Sequence, residues 1–164
     1  MSPTLARFVL CFLQRDRHVL MLLRSNPPNR GLWNGIGGHI EPGETPRAAC
    51  LREVQEEAGY QLGTVRFAGV LTWSGFEISD GGLYLFTAQA PAGPFRACSE
   101  GRLAWVPRRW VWTAPAVVSN LHHVAPAVLG GARPREYYFA YRGDQIVDRA
   151  VRSLPEWASP DRPW

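Results

Sequence analysis

The sequence predicts a single α/β domain. The chain has 164 residues, of which 46% are apolar; its apolar segments have the length of β-strands, and a helix with clear end signals lies between them. This composition suffices for one packed core, and it excludes a disordered chain, a collagen-like fibre and a disulfide-stapled miniprotein. We expect the domain to span residues 1–154 and the proline-rich tail at residues 155–164 to be frayed.

The N-terminal part of the chain is predicted to form a β-hairpin. Its two apolar strands, Arg7–Leu13 and His18–Leu23, flank a polar loop. Ser25–Arg30 contains two prolines and two asparagines and is expected to be a loop. Gly31–Gly38 is predicted to be a glycine-punctuated strand whose backbone a neighbouring group approaches closely.

The best-defined element is a helix that begins near residue 46. Thr45 is a favourable N-cap residue, and Pro46 suits the first helical position, where a backbone N–H has no intrahelical partner. Ala48–Ala58 contains good helix formers, and Gly59 provides a C-terminal stop.

The C-terminal half continues with short apolar segments. Ala114–Leu129 is expected to be helical but interrupted at Pro126. Arg142–Asp144 is a predicted turn, and Gln145–Ser153 fits either a closing strand or a helix. The predicted strands of this half are Val65–Leu71, Leu83–Ala88, Leu103–Val106 and Tyr137–Tyr141.

The basic residues and the acidic residues suggest different functions. All 18 basic residues are arginine and the formal net charge is +4, which favours a nucleic acid or another phosphate-bearing partner. Codon bias in a GC-rich genome explains the same composition, so we do not expect nucleic-acid binding. The acidic residues are more informative, because five of the nine glutamates fall within 17 residues: Glu41, Glu44, Glu53, Glu56 and Glu57.

Three of these glutamates share one face of the predicted helix. At 100° per residue, Glu53, Glu56 and Glu57 lie within about 100° of arc. Arg52 can pair with Glu56 at i,i+4, but an uncompensated negative patch remains. Three carboxylates on one face suit a hard divalent cation such as Mg²⁺ or Mn²⁺, which prefers oxygen ligands. A solvated acidic helix face is the alternative interpretation.

A longer pattern surrounds this helix. Gly38, five residues, Glu44, seven residues and then Arg52–Gly59 (REVQEEAG) resemble the Nudix box, GX5EX7REUXEEXGU, at eight fixed or class-restricted positions. Only Tyr60 departs from the pattern, where an aliphatic residue is usual, and we expect this change to affect packing rather than chemistry. Residues 5–150 are similar to the MutT-like members of this family, in particular to the oxidised purine nucleoside triphosphate hydrolases.

The resemblance implies the Nudix fold, which is a mixed β-sheet between helices (α/β/α) with a catalytic loop–helix–loop. It also implies Mg²⁺ as cofactor, with Mn²⁺ as the alternative, because a cation on the phosphate oxygens neutralises charge and lowers the pKa of an attacking water. By resemblance, Glu56 and Glu57 are metal ligands. Glu53 is either a ligand or the base that orients water, and the carbonyl of Gly37 or Gly38 completes the metal shell.

Further catalytic roles are implied for three residues. Arg52 would hold the glutamates in place, and Glu44 would brace the loop. Outside the box, the segment around Glu100 resembles a loop of MutT-like enzymes that carries an extra catalytic glutamate, so Glu100 is a candidate base or additional metal ligand. A solvated loop glutamate is the alternative for Glu100.

The candidate substrate-binding residues are Arg24, Asn34, Gly37 and Asn120. Arg24 falls where family members place a basic residue near the phosphates or sugar; an edge-strand arginine in solvent is the alternative. The amide of Asn34 can pair with a purine edge or cap a strand. Asn120 falls near a base-reading position, but Asn120 and Leu121 stand where the similar hydrolases carry two aspartates, which leaves the selectivity for oxidised purines open.

Aromatic residues and cysteines are less specific signals. Trp33, Trp110 and Phe139 either stack on a base or pack in the core. The three cysteines are odd in number and form no CxxC pair, so we expect free thiols in a reducing compartment. We also expect no secretory signal and no membrane span, and therefore a cytoplasmic protein without a membrane partner.

Together these features predict a Mg²⁺-dependent hydrolase that cleaves a nucleoside triphosphate, such as the oxidised purine nucleotide 8-oxo-dGTP, to monophosphate and pyrophosphate. The alternatives are hydrolysis of another nucleoside diphosphate-linked substrate, or a non-catalytic Nudix module that binds a nucleotide or RNA. The complete glutamate set favours catalysis, because a pure binder has no need for three clustered carboxylates. The expected partner is a small nucleotide, and the sequence leaves the oligomeric state open.

Overall fold

A computed structural model describes residues 6–76 and 80–164. It begins with the predicted antiparallel hairpin, formed by β1 (Ala6–Arg15) and β2 (His18–Arg24). The remaining elements follow in the order β3 (Trp33–Asn34), β4 (Ile36–His39), α1 (Pro46–Ala58), β5 (Arg66–Ser74), β6 (Gly81–Gln89), β7 (Gly101–Pro107), α2 (Trp110–Thr113), α3 (Leu121–Leu129), β8 (Arg135–Arg142) and β9 (Gln145–Arg152).

The strands form one mixed sheet in the order β3-β2-β1-β6-β5-β8-β9, with β4 paired to β1 and β7 paired to β2. The pairs β1–β6 and β5–β8 are parallel, and the other pairs are antiparallel. The sheet forks along β1, which pairs with β2 through residues 13–15 and with β4 through residues 8–11. The prediction of one strand over Gly31–Gly38 is therefore wrong, because β3 and β4 pair with different neighbours.

Helices cover both faces of the sheet, which confirms the predicted α/β/α arrangement. Alternate residues of β1 enter two separate cores: Val9 and Cys11 pack with α1 on one face, whereas Leu10 and Phe12 pack with α3 on the other. A central strand that is buried on both faces is typical of mixed α/β sheets. In the described part of the chain, no helix combines the length and the apolar character that crossing a bilayer requires.

Helix α1 begins and ends at the predicted residues. The Thr45 hydroxyl accepts a hydrogen bond from the Ala48 N–H at 3.1 Å, and Pro46 occupies the first helical position. Gly59 adopts a left-handed conformation (φ 77°), which a glycine tolerates without steric cost. Local sequence signals therefore determine where this helix lies along the chain.

The prediction for Ala114–Leu129 is wrong in its details. The helix begins only at Leu121, and Pro126 lies inside it without ending it. The preceding segment is not helical because its backbone pairs with β3: the Trp33 N–H donates to the Ala116 carbonyl at 2.8 Å, and the Val118 N–H donates to the Trp33 carbonyl at 3.0 Å. A tertiary backbone contact has replaced the helical hydrogen bonds that the composition favoured.

Two C-terminal predictions have different outcomes. Residues 145–152 form a strand, β9, which resolves the choice between strand and helix. The expected fraying of the tail at residues 155–164 is wrong. Ala158 is only 5% exposed, and Trp157 and Trp164 pack against the core on the α1 face. Burial of these apolar side chains explains why the proline-rich segment is ordered.

Candidate functional site

A cavity of about 560 Å³ opens at the fork of the sheet. Its walls come from β1, β2, β4, helix α1 and the loop before β7. It brings together nine of the eleven residues that the sequence singled out, namely Arg24, Asn34, Gly37, Gly38, Arg52, Glu53, Glu56, Glu57 and Glu100.

Arg52 connects the carboxylates on one side of this cavity. Its Nε and Nη2 atoms donate to the two oxygens of Glu44 at 2.9 and 3.0 Å, and its Nη1 atom donates to Glu53 at 2.9 Å and to Glu56 at 3.2 Å. Nη2 also donates to the His39 carbonyl at 2.9 Å. The expected i,i+4 pair with Glu56 is present, but the two-pronged pair with Glu44 is the better hydrogen-bonded contact. Arg52 is thus fixed from several sides.

Glu44 lies behind Arg52, outside the cavity lining. Its Oε1 atom also accepts a hydrogen bond from the Glu41 N–H at 3.1 Å. The hydrogen bond from Arg52 lowers the pKa of Glu44, against the opposing effect of partial burial. Glu44 is therefore a charged anchor that holds Arg52 and tightens its own loop.

Glu57 is in the opposite situation. Its side chain is 7% exposed, and its Oε2 atom accepts one hydrogen bond, from the Gly37 N–H at 3.1 Å. The pKa of Glu57 is raised to about 8, mainly by burial and in part by the nearby charges of Glu53 and Glu100. The Gly37 hydrogen bond and the charge of Arg24 only partly oppose this shift. Among the residues that the structure describes, Glu57 is therefore a buried carboxylate without an ion pair.

The two glycines before helix α1 leave room for different neighbours. A Cβ atom on Gly38 would lie 2.4 Å from the carboxylate of Glu53, so a side chain there would displace this glutamate. A Cβ atom on Gly37 would lie 1.9 Å from the backbone oxygen of Val9, so the pairing of β4 with β1 requires glycine. The pairing of β4 with β1 is thus sufficient to explain why position 37 carries no side chain.

The electrostatics of the cavity suit a divalent cation. Five glutamates and two arginines line it, and burial raises the pKa of Glu53 as well as that of Glu57. Within residues 6–76 and 80–164, no three His, Cys, Asp or Glu side chains are already arranged as a metal site; Glu53 and Glu56 instead contact Arg52. The carboxylate oxygens that line this cavity nevertheless have the donor chemistry that Mg²⁺ and Mn²⁺ prefer.

Three further polar residues, Arg24, Asn34 and Glu100, line the cavity. The Nε atom of Arg24 donates to the Pro28 carbonyl at 2.8 Å, which orients its guanidinium beside the cavity that Glu100 also lines. The Oδ1 atom of Asn34 accepts from the Gly35 N–H at 2.9 Å. Asn34 therefore caps its strand and lines the cavity at once, and its Nδ2 group is the one that can meet a ligand.

An aromatic wall was missed by the sequence analysis. Phe8 lies 4.6 Å from His39 and 6.4 Å from Trp73, measured between ring centroids, and all three line the cavity. The residues come from β1, β4 and β5, so only the strand pairing brings them together. In the sequence, these residues alternate with core residues. No local pattern therefore distinguishes them from side chains that only pack in the core.

The aromatic residues considered from the sequence pack elsewhere. Trp33 packs edge-to-face against Trp110 with ring centroids 5.7 Å apart, and Arg102 lies over its ring. Phe139 is 2% exposed and contacts the ring of His123. Of the two interpretations given for these residues, the structure supports packing.

Asn120 lies in a neighbouring cavity of about 530 Å³. Its Nδ2 atom donates to the Tyr141 hydroxyl at 3.1 Å. The two cavities share the walls formed by Pro27, Pro28 and Trp73. Asn120 therefore lines the neighbouring cavity and not the one that the glutamates line.

Comparisons with known proteins agree on one family. The model of the NUDIX domain matches residues 3–128. The chain is 35% identical over 109 residues to an uncharacterized Nudix hydrolase, YvcI of Bacillus subtilis, covering 62% of this chain and 65% of that protein. It is 27% identical over 101 residues to the oxidized purine nucleoside triphosphate hydrolase of Mus musculus, covering 60% of this chain and 64% of that protein. The chain thus aligns with slightly less than two thirds of either relative.

A solved structure shows the same fold over most of the chain. The MutT protein of Bacillus halodurans superimposes with a TM-score of 0.77 at 25% sequence identity. The match covers 88% of this chain and 96% of that one.

Proposed function

This chain belongs to the Nudix family of hydrolases, and on that premise we propose that it cleaves a nucleoside triphosphate to a monophosphate and pyrophosphate with Mg²⁺, or alternatively Mn²⁺, as cofactor. One observation carries the proposal. Among the described residues, Glu57 is buried with a hydrogen bond from the Gly37 N–H and without an ion pair, and four further glutamates line the same cavity. A bound divalent cation and a polyphosphate satisfy such a site, whereas an uncharged ligand leaves its charge uncompensated.

The residues that would hold the cation are Glu53, Glu56 and Glu57, with the Gly38 carbonyl as a further oxygen donor. When bound, the cation neutralises phosphate charge and lowers the pKa of an attacking water. Arg52 keeps Glu53 and Glu56 at the cavity wall. Since positioning and charge account for most of phosphoryl-transfer catalysis, this fixed arrangement is the main contribution of helix α1.

The other residues of the cavity contact the substrate in this proposal. Arg24 faces the phosphates, and Glu100, on the loop before β7, accepts the proton of the attacking water. The base stacks against the aromatic wall of Phe8, His39 and Trp73. The Nδ2 group of Asn34 donates to an acceptor on the base edge.

The candidate substrates are oxidised purine nucleotides such as 8-oxo-dGTP. Similarity to the mouse oxidized purine nucleoside triphosphate hydrolase supports this choice. The aromatic wall also supports it, because a purine offers a larger stacking surface than a pyrimidine. Asn120 then acts only on a substrate that extends past Trp73 into the neighbouring cavity.

Product analysis tests the proposal. The protein is incubated with Mg²⁺ and a panel of normal and oxidised nucleoside triphosphates, and phosphorus products are separated. We expect monophosphate and pyrophosphate, a loss of turnover in Glu53→Gln, and unchanged turnover in Gln55→Ala, an exposed residue of the same helix. Release of orthophosphate, or full turnover by Glu53→Gln, would contradict the proposal.

A second candidate function has its own support. The neighbouring cavity of about 530 Å³ gives room for another group beyond the first cavity, as in a substrate with a nucleoside diphosphate linked to a second moiety. Adding ADP-ribose and dinucleoside polyphosphates to the same panel distinguishes the two. Faster cleavage of these compounds, together with its loss in a variant that fills the second cavity, such as Ser119→Trp, would favour this candidate. Binding without cleavage of any compound would favour a non-catalytic module.

A further inference from the structure

The C-terminal tail docks beside the loop that carries Glu44. Ala158 enters the core on the α1 face, and Trp157 packs edge-to-face against Tyr84 with ring centroids 6.2 Å apart. Trp164 packs against the same core. These contacts bring residues 160–164, which we call the strap, next to the N-terminus of helix α1.

The strap pairs with the backbone of the loop in both directions. The Gly43 N–H donates to the Trp164 carbonyl at 2.9 Å, and the Trp164 N–H donates to the Glu44 carbonyl at 3.0 Å. Two backbone hydrogen bonds on adjacent residues fix both the position and the direction of the loop at Glu44.

The strap also satisfies the first turn of helix α1. The Arg47 N–H has no intrahelical acceptor at this position, and it donates to the Pro160 carbonyl at 3.0 Å. The Arg47 side chain pairs with Asp161, with Nε–Oδ1 and Nη2–Oδ2 distances of 2.7 and 3.3 Å. The strap therefore holds the loop and the start of the helix to each other.

A short series of contacts leads from the strap to the cavity. Trp164 holds the backbone of Glu44, the Glu44 carboxylate holds Arg52, and Arg52 in turn holds Glu53 and Glu56. We propose that residues 160–164 are a positioning element of the catalytic site, which keeps Glu44 and Arg52 aligned so that the glutamates of helix α1 face the substrate. This inference rests on the proposed hydrolase function for its effect on catalysis.

The hydrogen bonds of the strap described above go to Gly43, Glu44 and Arg47, none of which lines the cavity, so the strap acts on the cavity through Glu44. Its loss should lower kcat and leave KM almost unchanged, because the residues proposed to bind base and phosphate lie on other elements. A displacement of catalytic groups by about 1 Å costs up to roughly 100-fold in rate, so we expect kcat to fall by about 10-fold or more.

Three variants test the inference. A chain that ends at Ser159 lacks the whole strap, Trp164→Pro removes the N–H that binds Glu44 together with the indole ring, and Asp161→Asn weakens the pair with Arg47. Trp164→Phe is the matched control, since it keeps the backbone contacts and most of the ring packing. We expect the fall in kcat to be largest for the truncated chain, smaller for Trp164→Pro and Asp161→Asn, and absent for Trp164→Phe.

Amide hydrogen exchange provides a readout that needs no substrate. The Gly43 and Arg47 amides donate directly to the strap, so they should exchange about 10-fold faster or more in the truncated chain and stay protected in Trp164→Phe. Unchanged protection of these amides would overturn the inference. If the full chain cleaves no nucleotide while these amides still respond, the proposed function fails and the docking of the strap stands.

A double-mutant cycle separates positioning from general stabilisation. If the strap acts through Glu44, truncation should lower kcat strongly in the natural chain and by less than about 2-fold in the Glu44→Gln background. Assays are run well below the melting temperature of each variant, so a loss of stability alone leaves kcat unchanged. Equal effects of truncation in both backgrounds, or a rise in KM without a change in kcat, would overturn the inference.

Discussion

Glu44 and Glu57 lie at the two ends of the same loop–helix segment and are treated differently by the fold. Glu44 faces a guanidinium, which binds both of its oxygens and lowers its pKa. Glu57 lies against the sheet, where burial raises its pKa to about 8 and the hydrogen bond comes from the Gly37 N–H. Glu44 is paired with the guanidinium of Arg52. Within the described residues, no cationic side chain binds Glu57 directly.

We propose that the charge of Glu44 is structural and that the charge of Glu57 is functional. A buried carboxylate without a partner destabilises a protein unless a ligand compensates it. Glu44 therefore holds the loop through Arg52, whereas in our proposal a bound cation offsets the cost of burying Glu57. Each substitution considered below alters one end of this loop–helix segment.

The largest effect is expected from Glu57→Gln. Removing this charge should lower kcat by roughly 100- to 10,000-fold, the range for the loss of a group that acts directly in charge stabilisation or proton transfer. The fold should persist, because glutamine keeps the size of the side chain and the acceptor for the Gly37 N–H. Steady-state kinetics and circular dichroism measure the two effects. Near-normal kcat would remove Glu57 from the catalytic site.

The stability of the metal-free protein should depend on the protonation of Glu57. Its pKa rises from 4.5 to about 8 on folding, so the folded state retains a proton that the unfolded chain releases. Stability is therefore lost as the pH rises from about 4.5 to 8, and the accumulated cost is on the order of 3–5 kcal/mol above that window.

Denaturant titrations of the natural chain and of Glu57→Gln, both in EDTA, measure this cost. The two free energies of unfolding should agree at pH 5 and diverge by pH 9, with the variant the more stable. Saturating Mg²⁺ should reduce the divergence, since a bound cation stabilises the charged form. A constant difference across this pH range would contradict the assignment.

Glu44→Gln should have a smaller effect of the opposite sign on stability. It leaves Arg52 without its two-pronged partner, so we expect a loss of about 1–2 kcal/mol at pH 7 and a fall in kcat of about 10-fold. Chemical denaturation and steady-state kinetics check both values. A gain in stability at pH 7 would show that the charge of Glu44, like that of Glu57, destabilises the folded protein.

The smallest effect is expected from Trp164→Phe at the loop end. The indole Nε1 atom is buried and has no hydrogen-bond partner in the described part of the chain, so its removal should change the free energy of unfolding by less than about 1 kcal/mol. Thermal melts check this value. A larger loss would show that the indole, rather than the backbone of the strap, holds the loop.

The parts that could be predicted from the sequence are those with local causes. Thr45, Pro46 and Gly59 are end signals that act within a few residues, and they define helix α1 correctly. The spacing from Gly38 to Glu57 likewise places the glutamates near one another once the helix is formed.

The parts that could not be predicted depend on contacts distant in sequence. Glu56 and Glu57 are neighbours with the same chemistry, yet only the packing of β4 makes Glu57 buried and leaves Glu56 exposed. The aromatic wall needs the pairing of β1 with β4 and β6, and the ordered tail needs a loop more than 100 residues away. The proline-rich composition of the tail predicted fraying. That prediction did not take into account that its two tryptophans pack against the core.

The central claim is that the buried carboxylate of Glu57 binds a divalent cation. A Mn²⁺ titration monitored by electron paramagnetic resonance tests this claim most directly. We predict that the natural chain binds Mn²⁺, that Glu57→Gln weakens binding by about 10- to 100-fold, and that Glu44→Gln changes it by no more than about 3-fold. Equal affinity of the natural chain and Glu57→Gln, or no binding by the natural chain, would contradict the account.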